Sequence, residues 1–221
     1  NHHKISFFLP PGGLKESFEK DNKIKTFKEY KKQKSIDVVF IATPYKIFTR
    51  AWQNEDDFPK YILDETCEQL LNDDYASVHK TFFNVCNKHG LKFSTIGKVQ
   101  LSKFLVDIIN YVRSYKRIEI IKKIAKSGLK ITVCGNGWEE LLKEYKNIIF
   151  VKGMDVKDSF EFIKKAKVLI SNNPIFTQGA NERPFTGMLN NTVVFSDRSR
   201  YYDEFFENEK DILYYSFNSL D

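Results

Sequence analysis

The chain has 221 residues, 42% hydrophobic, 29% charged and 15% aromatic, which is too apolar for a disordered segment. A core of that size needs no disulfide or metal staple, and no apolar run approaches the roughly 18 residues of a membrane span. The net charge of +6 sits in one segment: residues 98–130 carry nine basic and two acidic side chains, so the broad basic face of a nucleic-acid binder is not expected.

In chain order, residues 1–35 read as a linker or the tail of a preceding domain. Pro10-Pro11-Gly12-Gly13 is turn chemistry, and Lys15 to Lys34 is lysine-rich with few apolar residues. Val38–Ala42 then reads as a short buried strand closed by Thr43-Pro44. From Phe58 to Lys126 the pattern is helical. Leu101, Phe104, Leu105, Ile108, Ile109 and Val112, then Ile120, Ile121 and Ile124, keep a period of about 3.6 residues. Gly128 supplies the stop. Most of the lysines on this stretch are read as a solvated helix face, with a local anion site at one end as the alternative.

Beyond residue 128 strand and helix alternate. Strands are expected at Leu129–Cys134, Ile148–Val151, Val168–Ser171, Thr192–Ser196 and Ile212–Tyr215. Helices are expected at Trp138–Tyr145, Val156–Lys165, Arg183–Asn190 and Tyr201–Phe206. Such alternation predicts an α/β fold with a parallel, doubly wound, Rossmann-like sheet. The domain is drawn over 36–221, with a helical insertion at about 58–110.

In such sheets ligands bind beyond the carboxyl ends of the strands. Gly135-Asn136-Gly137 follows one strand, at a turn that is either a close-approach anion loop or a plain tight turn. Lys152-Gly153-Met154 follows the next. Asn172-Asn173-Pro174 follows the third, and Thr177-Gln178-Gly179-Ala180-Asn181 leads into Glu182-Arg183-Pro184. Pro184 suits the first turn of a helix, and Arg183 at that point can pair with a phosphate in two-pronged fashion. Asp197 is the acid placed at the crevice, where it holds Arg198 or Arg200 or touches a substrate.

Other chemistry is thin. Cys67, Cys86 and Cys134 are widely spaced with no CxxC pair, which argues against a disulfide framework or structural zinc and for a reducing compartment. None of His2, His3, His79 and His89 has metal-ligand spacing, and there is no GxSxG elbow, P-loop or HExxH. No metal site and no bound cofactor are expected, and a cytoplasmic location is. The abrupt ends at Asn1 and Asp221 suggest a piece of something larger.

The ordered series Tyr115–Ile121, Leu129–Trp138, Asn147–Gly153, Val168–Pro174, Asn181–Phe185, Thr192–Asp197, Phe205-Phe206 and Asp211–Tyr215 resembles a known family. It is similar to the C-terminal donor-binding domain of GT-B glycosyltransferases, in the family-1-like group related to the spore maturation protein CgeB. The resemblance covers roughly residues 110–221. It implies transfer of a sugar from a nucleotide-diphosphate sugar to an unknown glycan, protein or lipid acceptor, without a catalytic metal. It also implies that this chain is the donor-binding half, and that an N-terminal domain supplies the acceptor site.

By that similarity Gly135, Asn136 and Gly137 approach the diphosphate, and Lys152, Gly153 and Met154 meet the base. Asn173, Gln178, Gly179, Ala180, Asn181 and the helix after Arg183 hold phosphates and sugar. Arg183 takes the catalytic role, and Arg117 stands at the mouth of the cleft. Thr186 occupies the place of a ribose-binding glutamate and Gln178 that of a second glutamate; Asn190-Asn191 replaces a small residue and a glycine. These departures favour the alternative, a degenerate non-catalytic module that binds a nucleotide or a protein, whereas Arg183 and the Gly-Asn-Gly loop favour the enzyme.

Overall fold

The structure is a computed structural model that describes residues 12–13, 26–45, 47–54, 57–91 and 97–217. Its elements run α1 (Phe27–Gln33), β1 (Ile36–Ile41), α2 (Asp57–Asn72), α3 (Val78–Lys88), α4 (Lys98–Lys126) and β2 (Ile131–Cys134). They continue with α5 (Trp138–Leu142), β3 (Ile148–Val151), α6 (Val156–Lys165), β4 (Ala166–Ser171) and α7 (Glu182–Leu189). The last are β5 (Val193–Asp197), α8 (Arg200–Phe205) and β6 (Leu213–Tyr215).

The six strands form one all-parallel sheet in the order β3-β2-β1-β4-β5-β6. That is the doubly wound Rossmann-like order, as expected from the alternation, and it puts the reversal of strand order between β1 and β4. The central strands are nearly continuous runs of Val, Ile and Phe because both faces are covered. On one face Val38, Phe40, Ile131, Val133 and Ile170 pack with Ile120, Ile121 and Ile124 of α4 and Trp138 and Leu142 of α5. On the other, Val39, Cys134 and Leu169 pack with Ile163 of α6.

The helical stretch divides into three helices, α2, α3 and α4, with their own core of Leu63, Cys67, Phe82, Val85, Phe104, Ile108 and Val112. No break falls near residue 110. With 29 residues, α4 is about 43 Å long and belongs to both cores. Its first half packs in the helical cluster and its second half on the sheet. Between them lies a polar waist, Arg113, Ser114, Lys116 and Arg117. There Ser114 Oγ donates to Pro44 O at 2.9 Å and accepts from the Ile47 N–H at 3.1 Å, so the loop after β1 is bonded to the helix.

Residues 1–11 and 14–25 of the expected tether lie outside the described residues, but its end is part of the fold. A capping box between Thr26 and Glu29 starts α1. Lys34 is 1% exposed. Its ammonium donates to Lys164 O (2.9 Å), Asn190 O (2.9 Å) and Thr192 Oγ1 (2.8 Å), so one cation closes the C-terminal ends of α6 and α7. Burial pushes its pKa down to about 8, which leaves it charged at neutral pH with three acceptors for three protons. Lys34→Met strands two buried carbonyls, and the expected loss is about 3 kcal/mol of unfolding free energy, read from urea denaturation at pH 7.

Candidate functional site

At the carboxyl ends of the strands each loop is held by a polar group from another element. Gly135 has φ of 147°, and a Cβ there would run into the carbonyl oxygen of Ala42 at the end of β1. The same oxygen accepts from Trp138 Nε1 at 2.6 Å. Gly137 is left-handed (φ 92°) at the start of α5. The two glycines of Gly135-Asn136-Gly137 are therefore required by the fold itself, a reason that spacing alone could not separate from ligand approach. Asn136 turns sideways, and its Oδ1 accepts from the Gly153 N–H at 2.8 Å. That bond joins this loop to Lys152-Gly153-Met154, in which Lys152 and Gly153 are exposed.

At the strand-order reversal, positive charge accumulates. Arg117 of α4 donates to Thr43 O at 2.9 Å and lies over the ring of Tyr45, 4.7 Å from its centroid. Arg113, one turn earlier, lies over the same ring at 5.3 Å and donates to its hydroxyl at 3.3 Å. Burial lowers the pKa of Arg117, and Arg183 across the crevice lowers it further by like-charge repulsion. Burial alone would raise the Tyr45 phenol, but Arg117 and Arg113 hold it below its ordinary value. Tyr45 is left-handed (φ 60°), a strained conformation for an aromatic residue. Among the described residues none of Arg113, Arg117 and Arg183 has a carboxylate partner.

Arg183 is the second residue of α7, after Glu182; the helix is capped by Asn181, whose Oδ1 accepts from the Arg183 N–H at 3.2 Å. The loop ahead of it is anchored at three points. Asn173 N–H donates to Asp197 Oδ2 (2.6 Å), Arg200 N–H to Thr177 O (2.9 Å), and Asn181 N–H to the Tyr202 hydroxyl (3.0 Å). Gln178 is exposed at the tip, with Gly179 and Ala180 half-buried beside it. Thr186 is buried within α7, and Gly13 packs against that turn so closely that a Cβ would stand 2.6 Å from the Thr186 nitrogen.

Asp197 holds neither Arg198 nor Arg200. Arg198 pairs with Asp203 at 3.6 Å and donates to the Tyr75 hydroxyl at 3.1 Å, while Asp197 turns inward to Asn173. Four buried polar atoms around the crevice, Arg117 Nε, Ser171 Oγ, Asn172 Oδ1 and Asn173 Nδ2, have no protein partner. Buried polar groups are seldom left so, and their clustering at strand ends marks this place. Tyr45, Arg113 and Ser171 are members of the site that the motif reading missed. Only the basic excess of 98–130 hinted at Arg113.

No group of three or more His, Cys, Asp or Glu side chains able to hold a metal ion occurs among the described residues. The thiols of Cys67, Cys86 and Cys134 are free and buried; burial pushes them up to about 12, 11 and 12, far from nucleophilic. No helix among the described residues is long and apolar enough to cross a membrane. Gly135→Ala is expected to destabilise the fold by about 2 kcal/mol or more, by thermal or urea unfolding without any ligand, because the clash is with backbone.

Residues 113–219 match the model of a family described as glycosyl transferase-like. The match begins at Arg113, in the waist of α4, and takes in β2 to β6 and the whole of α7. No curated protein and no solved structure matches the chain. The part of the chain that carries Arg113, Arg117, Arg183 and the loops after β2 to β5 is thus similar to that family, and glycosyl transfer is the general class of activity that this match supports.

Proposed function

We propose that the chain binds a nucleotide-diphosphate sugar at the strand-order reversal and is the donor-binding half of a GT-B glycosyltransferase of the CgeB-related group. The observation that carries this reading is the set Arg113, Arg117 and Arg183, three guanidiniums around one crevice with no carboxylate among them. Such a set is costly when empty and well matched to a diphosphate, which accepts paired hydrogen bonds from guanidinium. The amide groups at the start of α7 add a positive pole on the same side.

In this reading the chemistry is electrostatic. As the bond between sugar and diphosphate breaks, negative charge grows on the leaving oxygens, and Arg183 together with Arg117, which is held by Thr43 O and the Tyr45 ring, supplies the donors that meet it. Asn173 and the Gln178–Asn181 loop line the sugar side. The Gly135–Gly137 loop, tied to Gly153 through Asn136, forms the wall towards the base, with Lys152 and Met154 at its edge. The α5 helix is only five residues long, so we assign the diphosphate to the arginines rather than to that helix. The acceptor is met by a separate domain.

The competing reading, a non-catalytic nucleotide-binding module, draws on Thr186, which is buried inside α7 at the place that the family resemblance gives to a ribose-binding glutamate. Turnover separates the two. Calorimetry with a panel of UDP, GDP, ADP and CMP is expected to find one nucleotide that binds. Arg183→Ala and Arg117→Ala should each weaken it by about 1–3 kcal/mol, roughly 5- to 150-fold, and Arg183→Ala should do so with an unchanged unfolding midpoint. Absence of binding by a folded wild-type protein to all four rejects the donor reading.

A further inference from the structure

Asp197 ends β5 and is buried, and it has no use in the electrostatics described so far. Its Oδ2 accepts from the Asn173 N–H at 2.6 Å and from Asn172 Nδ2 at 3.4 Å, which ties the end of β5 to the first residues of the β4–α7 loop. Asn172, Asn173 and Asp197 line a small, partly open cavity with Asp74, Lys116 and Tyr215, with room for one water molecule, about 10 Å³. Asn172 Oδ1 and Asn173 Nδ2, both more than nine-tenths buried, lack protein partners there.

We propose that Asp197 is a positioning residue for the donor site: as a carboxylate it holds the β4–α7 loop through Asn173, and on taking up a proton it slackens that loop, so that donor binding weakens in mild acid. The proposal rests on the donor reading above. Nothing covalent changes; one proton moves between solvent and the carboxyl, and a charge-assisted hydrogen bond becomes a neutral one.

The groups that face Asp197 agree. From α4, Lys116 is the cation that favours the carboxylate, and it lies 3.9 Å from Asp74 of the turn after α2. Asp74 opposes ionisation, and Asp73 acts on Lys116. Ser196 Oγ stands 3.4 Å from Oδ1, Tyr215 of β6 donates its hydroxyl proton to Ser171 O at 3.0 Å, Tyr202 of α8 is within electrostatic reach, and Arg198 lines the cavity. Burial wins over these and raises the Asp197 pKa to about 7, so its charge changes in the neutral range. An acid raised above its unfolded value stabilises the fold when protonated, and that contribution is lost as pH rises through about 7. The carboxylate therefore holds the loop against the interest of overall stability, the opposite of a structural ion pair.

The test uses the full chain, ¹⁵N-labelled, between pH 5.5 and 8.5. The Asn173 amide is expected to shift with one midpoint near neutrality and, after correction for intrinsic rates, to exchange about tenfold faster on the acid side. Asp197→Asn should abolish the midpoint and hold Asn173 at the acid-side exchange rate, with a melting temperature at pH 8 equal to or above that of the wild type. Lys116→Met, which removes the favouring cation, should move the midpoint upward, and it serves as the probe should Asp197→Asn not fold. An Asn173 amide that does not titrate overturns the proposal, and so does an Asp197→Asn protein that keeps wild-type protection. Calorimetry with UDP (or the nucleotide of the panel that binds) at pH 6 and pH 8 completes it. Affinity should fall about tenfold in acid for the wild type relative to Asp197→Asn, a comparison in which the nucleotide's own titration cancels. Equal pH dependence in both proteins overturns the proposal. A titrating Asn173 with no nucleotide bound at either pH overturns the donor reading instead, and with it the control of donor binding.

Discussion

One rigid helix sets the geometry of this molecule. Because α4 is a single run of 29 residues shared between the helical cluster and the sheet, neither core can shift without moving the other. Close packing in both leaves no slack at the join. The join falls at the level of the strand ends, which is why its side chains are polar. Ser114 and Arg117 bond to the carbonyls of Pro44 and Thr43, and Lys116 lies beside Asp74. The crevice is the gap that this helix must cross.

The same economy governs the loops. Parallel strands end with free backbone groups, and a crevice lined by them would be soft unless each were tied down. Here Ala42 is tied by Trp138, Gly153 by Asn136, Asn173 by Asp197 and Asn181 by Tyr202. Behind them Lys34 fastens the far ends of α6 and α7, so α7 is held at both ends. For the proposed donor reaction, tied loops are the condition under which little is lost to reorganisation as charge develops.

The alternation that built the sheet was readable because each strand and helix after residue 128 is short, apolar at its own period and bounded by turn residues. Val156–Lys165 and Ile148–Val151 were expected with the bounds the structure has. Arg183 is a candidate in the sequence as a cation at the start of a helix, whereas Arg117, in the middle of α4, is a candidate only through the family resemblance. What stayed hidden is long-range pairing. Lys34 looked like one more lysine of a basic tail, yet its partners are 130 to 158 residues away. Asp197 looked like a partner for the adjacent arginines and instead spans two strands. Gly135 carried a true signal with an ambiguous cause, because a glycine that lets a phosphate approach and one that lets Ala42 approach look identical in sequence.

The basic excess of the chain gains its meaning from that distinction. A solvated lysine face costs nothing and commits the protein to nothing. Arg113 and Arg117 are different: they lean on a strained Tyr45, and Arg117 meets the repulsion of Arg183 and leaves its buried Nε without a partner. Repulsion, strain and an unmet donor are each unfavourable, and a fold selected for stability alone would relieve them with one glutamate. Instead the nearby acids are directed elsewhere: Asp197 to Asn173, Asp203 to Arg198, Asp74 to Lys116. Keeping carboxylates off these arginines while spending them on the loops behind leaves cationic charge uncompensated at the strand ends, and it is this feature on which the proposed donor site rests.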